Sequence, residues 1–327
     1  MENDTPISFE EFMRRALHDP RRGYYARRIT AVGKRGDFTT APMLSTAPAR
    51  AIAAWATDAM RETKCRNLIE IGPGEGRLAA AVMAALPWTM RWKTRLHLVE
   101  TSAPLREAQQ KLLGKKARWH EHPAAALDAC GGAAVIFSNE LVDAFPARRF
   151  RRCGEDWREM AVSFSHDGRI SHSLLPPAPL PDSSVFSLSP AQFPEGQVVE
   201  VHDSYRRWQE EWLPKWKRGR RLTIDYGAAV ELLYQRRPQG TVRAYLLQQR
   251  LEGDDIYQNI GRQDITADIN FTDLMKWSEK EMESQNLGSM SRFLLLYAGN
   301  DLADPLLLEA NGAGEAFQVL DEWRRAE

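Results

Sequence analysis

The chain has 327 residues, 43% hydrophobic and 27% charged, enough to bury a core without disulfides or structural metals and enough for one large domain with an insertion or two domains. Its 44 lysines and arginines balance 44 aspartates and glutamates, so no basic surplus marks an obligatory nucleic-acid partner. Cys65, Cys130 and Cys153 are widely spaced and form no CxxC, and the longest apolar stretch, Leu78 to Trp88, is well short of the roughly 20 residues of a membrane helix. The early acids Glu2, Asp4, Glu10 and Glu11 fit neither a signal peptide nor a transit peptide. The expectation is a cytoplasmic protein with no disulfide framework, no nucleic-acid partner and no membrane insertion.

Residues 1–65 read as a helical cap. Phe9, Phe12, Met13, Ala16 and Leu17 fall at helical spacing before Asp19-Pro20 stops the helix. GKRGDFTTAP (33–42) reads as a loop, and an alanine-rich helix follows over Ala47 to Arg61. From residue 66 short apolar strands alternate with helices: strands at 67–71, 95–99, 117–122 and 133–137, helices at 77–86 and 104–113. Such alternation implies an α/β fold, a parallel sheet with helices on both faces, for residues 66–146. The texture breaks near 147. Residues 150–173 predict an antiparallel meander with a turn at His166-Asp167-Gly168, and the proline-rich 174–194 a long loop. Residues 204–217 predict a helix carrying Trp208, Trp212 and Trp216 for packing, closing an inserted region over 147–219. The remainder, 220–327, returns to the core with strands at 221–224 and 241–247, a helix over 271–285 and a last strand at 293–297.

The strongest single signal is LIEIGPGEGRL, Leu68 to Leu78. An apolar strand carries Glu70, then Gly72, Gly74 and Gly76 alternate before a helix. Glycines there permit a tight turn and let a ligand reach the backbone without meeting a Cβ, while the helix start offers unpaired N–H groups. The next strand ends in Glu100, a carboxylate suited to the two hydroxyls of a ribose. A dinucleotide site calls for GxGxxG, with its third glycine at position 77, where this chain has Arg77. GxGxG after an acidic strand end points instead to S-adenosylmethionine (SAM). Glycines placed for packing alone are the bland alternative.

Further candidates also follow apolar strands. Asn139, Glu140 and Asp143 come after 133–137, at the carboxyl edge where doubly wound sheets hold ligands. Asn139 could bond the cofactor, and Glu140 and Asp143 could orient a nucleophile. A plain helix cap is the alternative for the first two, a solvent-facing side chain for the third. Asp225-Tyr226-Gly227 fits either a substrate-side carboxylate, Asp225, with an aromatic wall, or a turn in which Asp accepts from backbone N–H groups. His120-Glu121-His122 lacks a third ligand, so no metal is expected. Arg148, Arg149, Arg151 and Arg152 read as a solvated strand face.

Over nearly its whole length the chain resembles the MidA-type SAM-dependent methyltransferases, related to mitochondrial proteins that assist assembly of respiratory complex I. The resemblance rests on ISFEEFM and HDPRRGYYARR (7–28), GDFTTAP (36–42), IEIGPGEGRL (69–78), LVETSAPLREAQ (98–109), SNELVDAFP (138–146), VVEVHDSYRRW (198–208), IDYG (224–227), GTVRAY (240–245) and DITADINF (264–271). It implies a Rossmann-like class I methyltransferase core with an N-terminal helical cap and an inserted substrate-side region. It also implies SAM as methyl donor and a protein substrate methylated on arginine, such as a subunit of NADH dehydrogenase. Asp37 and Thr39 would belong to a lid over the cofactor. The sequence departs from the family pattern at Met43-Leu44, Ala47 to Arg50, Gln248-Gln249 and Asp268. Those departures keep a second reading open, a non-catalytic assembly scaffold that retains the fold. SNELVDAFP stands where base amino-methyltransferases carry an NPPY-type motif, which argues against that class.

Overall fold

The computed structural model describes residues 3–27, 46–166, 169–298 and 316–324. Two compact units emerge, each assembled from three stretches of chain. One comprises 29–141, 209–226 and 277–327 and is built on a mostly parallel sheet; the other comprises 1–28, 142–208 and 227–276 and is built on antiparallel strands.

In the parallel unit the strands are β1 (Asn67–Ile71), β2 (Arg95–Val99), β3 (Ala117–His120), β4 (Val135–Asn139), β5 (Gly219–Ala228, as far as Tyr226 in this unit), β6 (Ser284–Ser289) and β7 (Phe317–Arg324). Their order across the sheet is β6-β7-β5-β4-β1-β2-β3. β1 to β5 are mutually parallel where they pair, with Leu68 opposite Leu96 and Val135, and Leu222 opposite Phe137. β7 pairs antiparallel with both β5 and β6. The interior strands are buried nearly end to end, as expected when helices cover both faces. One face packs the helix Ala47–Thr63, whose Ile52, Trp55, Ala56 and Met60 meet Leu68, Leu96, Phe137 and Leu222 in a single apolar cluster. The sheet reverses at β1, with β2 to one side and β4 to the other, so the carboxyl ends of these strands bracket the switch point where such folds bind ligands.

The antiparallel unit places Asn3–Ser8, Asp156–Phe164, Arg148–Cys153 and Val198–Val201 side by side, with Ile170–Leu174 on the second strand. The helix Phe9–His18 is capped by Ser8, whose hydroxyl accepts from the Glu11 amide, and buries Phe9, Phe12, Met13, Ala16 and Leu17 as their spacing predicts.

Several expectations are corrected. Residues 3–8 form a strand, because the extended edge of the meander offers them a ladder partner in Ala161, Val162 and Phe164. Residues 290–297 form a helix, not a strand. Its buried positions Met290, Phe293 and Leu294 recur at helical spacing, and Ser289 accepts from the Arg292 amide at its start. The last strand is Phe317–Arg324. The helix expected over 271–285 ends at Ser278, and Gln285 pairs with Glu322 in the sheet. The arginine run is not a solvated face: Arg148 bonds Glu159, and buried Arg149 bonds Glu200 at 3.2 Å. The turn expected at 166–168 lies partly outside the described residues. Trp212 and Trp216 are fully packed, but the helix expected over 204–217 ends at Trp212, so Trp216 packs from the extended chain beyond it, and Trp208 is only half-buried.

Candidate functional site

At the carboxyl edge of the parallel sheet, β1 runs into the glycine turn and the helix Arg77–Ala85. Gly72, Gly74 and Gly76 all have positive φ, at 69°, 54° and 79°, which L-residues with side chains rarely adopt. At Gly72 a Cβ would come within 2.7 Å of Leu141 Cδ1, so the turn is packed from behind. At Gly74 a Cβ would meet nothing within 4 Å: the backbone there faces open space.

Glu70 is buried at the strand end. One oxygen accepts from the amide of Ala79 in the first turn of the helix; the other, Oε2, is buried with no partner among the described residues. Burial pushes its pKa up to about 8, opposed by the Ala79 bond and assisted by the nearby charge of Glu100. An orphaned carboxylate oxygen beside an open glycine backbone is a cradle for a cationic, hydrogen-bonding ligand. Glu100, at the end of β2, is also raised by burial; its Oε1 accepts from the Ser102 amide at 2.8 Å.

Between Gly74 and Glu100 stands Gln109, a residue that the glycine-turn motif does not specify. Its Nε2 donates to the Gly74 carbonyl at 2.6 Å and reaches Glu100 Oε2 at 3.4 Å, while its Oε1 accepts from Trp119 Nε1 at 3.0 Å. It is fully buried on the helix Ala103–Leu113, whose other buried positions are Leu105 and Leu113. An amide interrupting an otherwise apolar stripe was the signal that could have found it.

β4 delivers Asn139 and Glu140 to the same edge. Asn139 donates from Nδ2 to Glu140 Oε1 at 2.9 Å, and its own Oδ1 is buried without a partner among the described residues. Glu140 holds a left-handed backbone, φ 50°, while its amide bonds the Ile224 carbonyl of β5. A non-glycine residue kept there marks stored strain, which gathers at functional sites. Asp225 is fully buried, with Oδ2 accepting from the Leu141 amide and Oδ1 from the Tyr226 amide. It therefore acts as the turn-forming aspartate and braces the chain just beyond Glu140.

Glu70, the three glycines, Glu100, Asn139, Glu140 and Asp225 thus share one sheet edge within one unit. Asp143 belongs to the antiparallel unit, where it is buried rather than facing solvent and its carbonyl accepts from the Ala267 amide. Asp37 and Thr39, like Met43 and Leu44, lie outside the described residues. The other departures have structural explanations. Ala47 to Arg50 start the long helix against the apolar cluster. Gln248 sits with Leu247 in an exposed two-residue hairpin turn, both at positive φ. Asp268 is clamped by Arg237 and Arg243. His120 bonds His97 at 2.9 Å, and no metal-binding cluster occurs among the described residues.

Comparison with known proteins follows the same line. Residues 51–290 match a family described as S-adenosyl-L-methionine-dependent methyltransferase. A Burkholderia thailandensis protein solved with bound S-adenosyl-homocysteine superposes with a TM-score of 0.83 at 27% identity, covering 98% of this chain and 88% of that one. The chain is also 25% identical over 96% of its length to the mouse mitochondrial protein arginine methyltransferase NDUFAF7, covering 76% of it. A Caenorhabditis elegans homolog of that enzyme is 27% identical, over 81% of this chain and 67% of its own.

Proposed function

Since the chain belongs to this S-adenosyl-L-methionine-dependent methyltransferase family, we propose that its methyl acceptor is an arginine side chain of a protein. The fold and the SAM-dependent activity follow from the family and the cofactor-bound neighbour. The choice of arginine is supported by the named activity of the mitochondrial relatives and by one local observation: a carboxylate, Glu140, carried on a left-handed backbone at the carboxyl edge of the sheet.

The cofactor supplies a methyl group made electrophilic by its sulfonium. Gly74 leaves the room a ligand needs, Glu70 and Asn139 carry unmet acceptor atoms, and Glu100 stands where a ribose-binding carboxylate belongs in this fold. Gln109 holds the Gly74 carbonyl in place. Methyl transfer is an in-line displacement, so the protein's work is alignment and exclusion of water. An arginine acceptor enters protonated, and its planar fork matches a carboxylate. Glu140 orients that guanidinium and favours departure of its proton as the nitrogen attacks. Asp225 keeps Glu140 in register by holding the Leu141 amide. Asp143, three residues beyond Glu140, is a second carboxylate to be tested by replacement.

The test begins with calorimetric titration of SAM into the wild type and Gly74→Val. Valine projects into the open space above the turn, and affinity falls by roughly 100-fold or more if that space receives the cofactor. Cell extract from a strain lacking the gene is then incubated with the enzyme and methyl-labelled SAM, and hydrolysed protein is searched for methylarginine. Label on arginine, lost in Glu140→Gln while SAM binding persists, supports the reading. Label on lysine, nucleic acid or a small molecule leaves a methyltransferase and removes the arginine assignment.

A further inference from the structure

The amino-terminal edge of the parallel sheet, opposite the glycine turn, has a composition that the methyl-transfer site does not use. Between Glu75 and Glu100 the chain carries no acidic residue. The one-turn helix Trp88–Arg91 and the residue after it leave Trp88 69% and Trp92 84% exposed. Four residues apart on one helical turn, the two indoles lie on the same side. Leaving them in water forgoes burial of about 150–250 Å² each, surface that a chain rich in core sites would ordinarily cover.

Cations share this edge. Arg91, Lys93 and Arg95 lead into β2. Leu96 pairs in parallel with Ala117, which brings Lys115 and Lys116 to the same edge. The Arg66 carbonyl accepts from the Arg95 amide at 2.8 Å, adding a sixth cation. All six are exposed, and none forms an ion pair among the described residues. The helix Ala103–Leu113 also ends at this edge, with Leu112 half exposed.

We propose that this edge docks on an anionic phospholipid surface, with the Trp88 and Trp92 indoles at the headgroup boundary and the surrounding lysines and arginines on lipid phosphates. Indoles favour that boundary because one side of the ring system is apolar and its N–H is polar. Basic side chains beside them are attracted to acidic headgroups within a Debye length. A polynucleotide calls for a basic track along its backbone and usually a surplus over the chain, which the balance of 44 against 44 does not supply. A bilayer needs only a local patch with apolar anchors. No described helix is long and apolar enough to cross a membrane, so the contact is peripheral. Docking by this edge turns the carboxyl edge, with Glu70 and Glu100, away from the bilayer.

The experiment is co-sedimentation of the full chain with phosphatidylcholine vesicles, with and without phosphatidylglycerol. Binding is expected only to vesicles containing phosphatidylglycerol, weakening with salt and accompanied by a blue shift of tryptophan fluorescence. Trp88→Ser/Trp92→Ser and Arg91→Glu/Lys93→Glu/Arg95→Glu are each expected to cut partitioning by about 10-fold or more. Both should titrate with SAM as the wild type does, which shows that they are folded. Absence of binding to the anionic vesicles overturns the proposal, and so does equal binding by the folded variants. Capture of a single-stranded oligonucleotide by this edge, with no vesicle binding, overturns it in favour of nucleic acid.

Discussion

Glu200 in the antiparallel unit and Glu70 in the parallel unit are both buried glutamates raised by desolvation, yet their surroundings differ. Glu200 Oε1 accepts from Arg149 Nε, and Oε2 accepts from both the amide and the hydroxyl of Thr241. Every oxygen is met from within, so that carboxylate serves the fold. Glu70 has one oxygen on a helix amide and the other on nothing described. Burial without a partner costs stability and persists where a ligand supplies what the chain withholds. The same side chain thus makes a structural tie in one unit and keeps an unmet acceptor at the glycine turn in the other.

The largest effect that would break this contrast is at Glu200. Replacing it by alanine strands the buried Arg149 guanidinium, and loss of one partner of a buried pair costs about 3–5 kcal/mol. Urea unfolding should register that loss; a change under about 1 kcal/mol would mean that Glu200 is no tie.

Glu70→Gln is expected to do the reverse. An acid whose pKa rises on folding keeps its proton in the native chain where the unfolded chain has already lost it. Stability therefore falls as pH climbs from the ordinary glutamate range towards about 8. The glutamine variant should flatten that decline in Tm measured against pH, be no less stable than wild type near pH 8, and bind SAM at least ~10-fold more weakly. A variant that loses Tm at every pH would place Glu70 with Glu200 among the structural ties.

Gln109→Ala is the finest test. It frees the Gly74 carbonyl and a bond to Glu100 without adding bulk to the site, and the loss of about one hydrogen bond corresponds to a several-fold weaker SAM affinity. Calorimetry distinguishes this from a Tm loss with unchanged affinity, which would assign Gln109 to packing.

The chemistry readable along the chain was local. The glycine turn, Glu70, Glu100 and Asn139-Glu140 each stand at the end of an apolar strand, and parallel pairing alone carries such ends to one edge. Helix Phe9–His18 and strands β1, β2 and β4 are equally open to pattern, since each buries a continuous apolar run or face. Where several partners compete for a segment, pattern was insufficient. Residues 290–297 and 284–289 are short and apolar or mixed, and only pairing with β7 made the second a strand and left the first a helix. The arginine run looked solvated because Glu200 lies some fifty residues away in sequence, though it sits on the adjoining strand.

By itself, then, the sequence determined the fold class and which residues stand at the strand ends, because strand ends and turn glycines are specified by neighbours along the chain. Tertiary structure alone decided that Asp225 is a brace, that Gln109 joins Gly74 to Glu100, and which buried carboxylate lacks a partner. Hydrogen-bond partners and desolvation depend on groups brought together from distant positions, and no local pattern contains them.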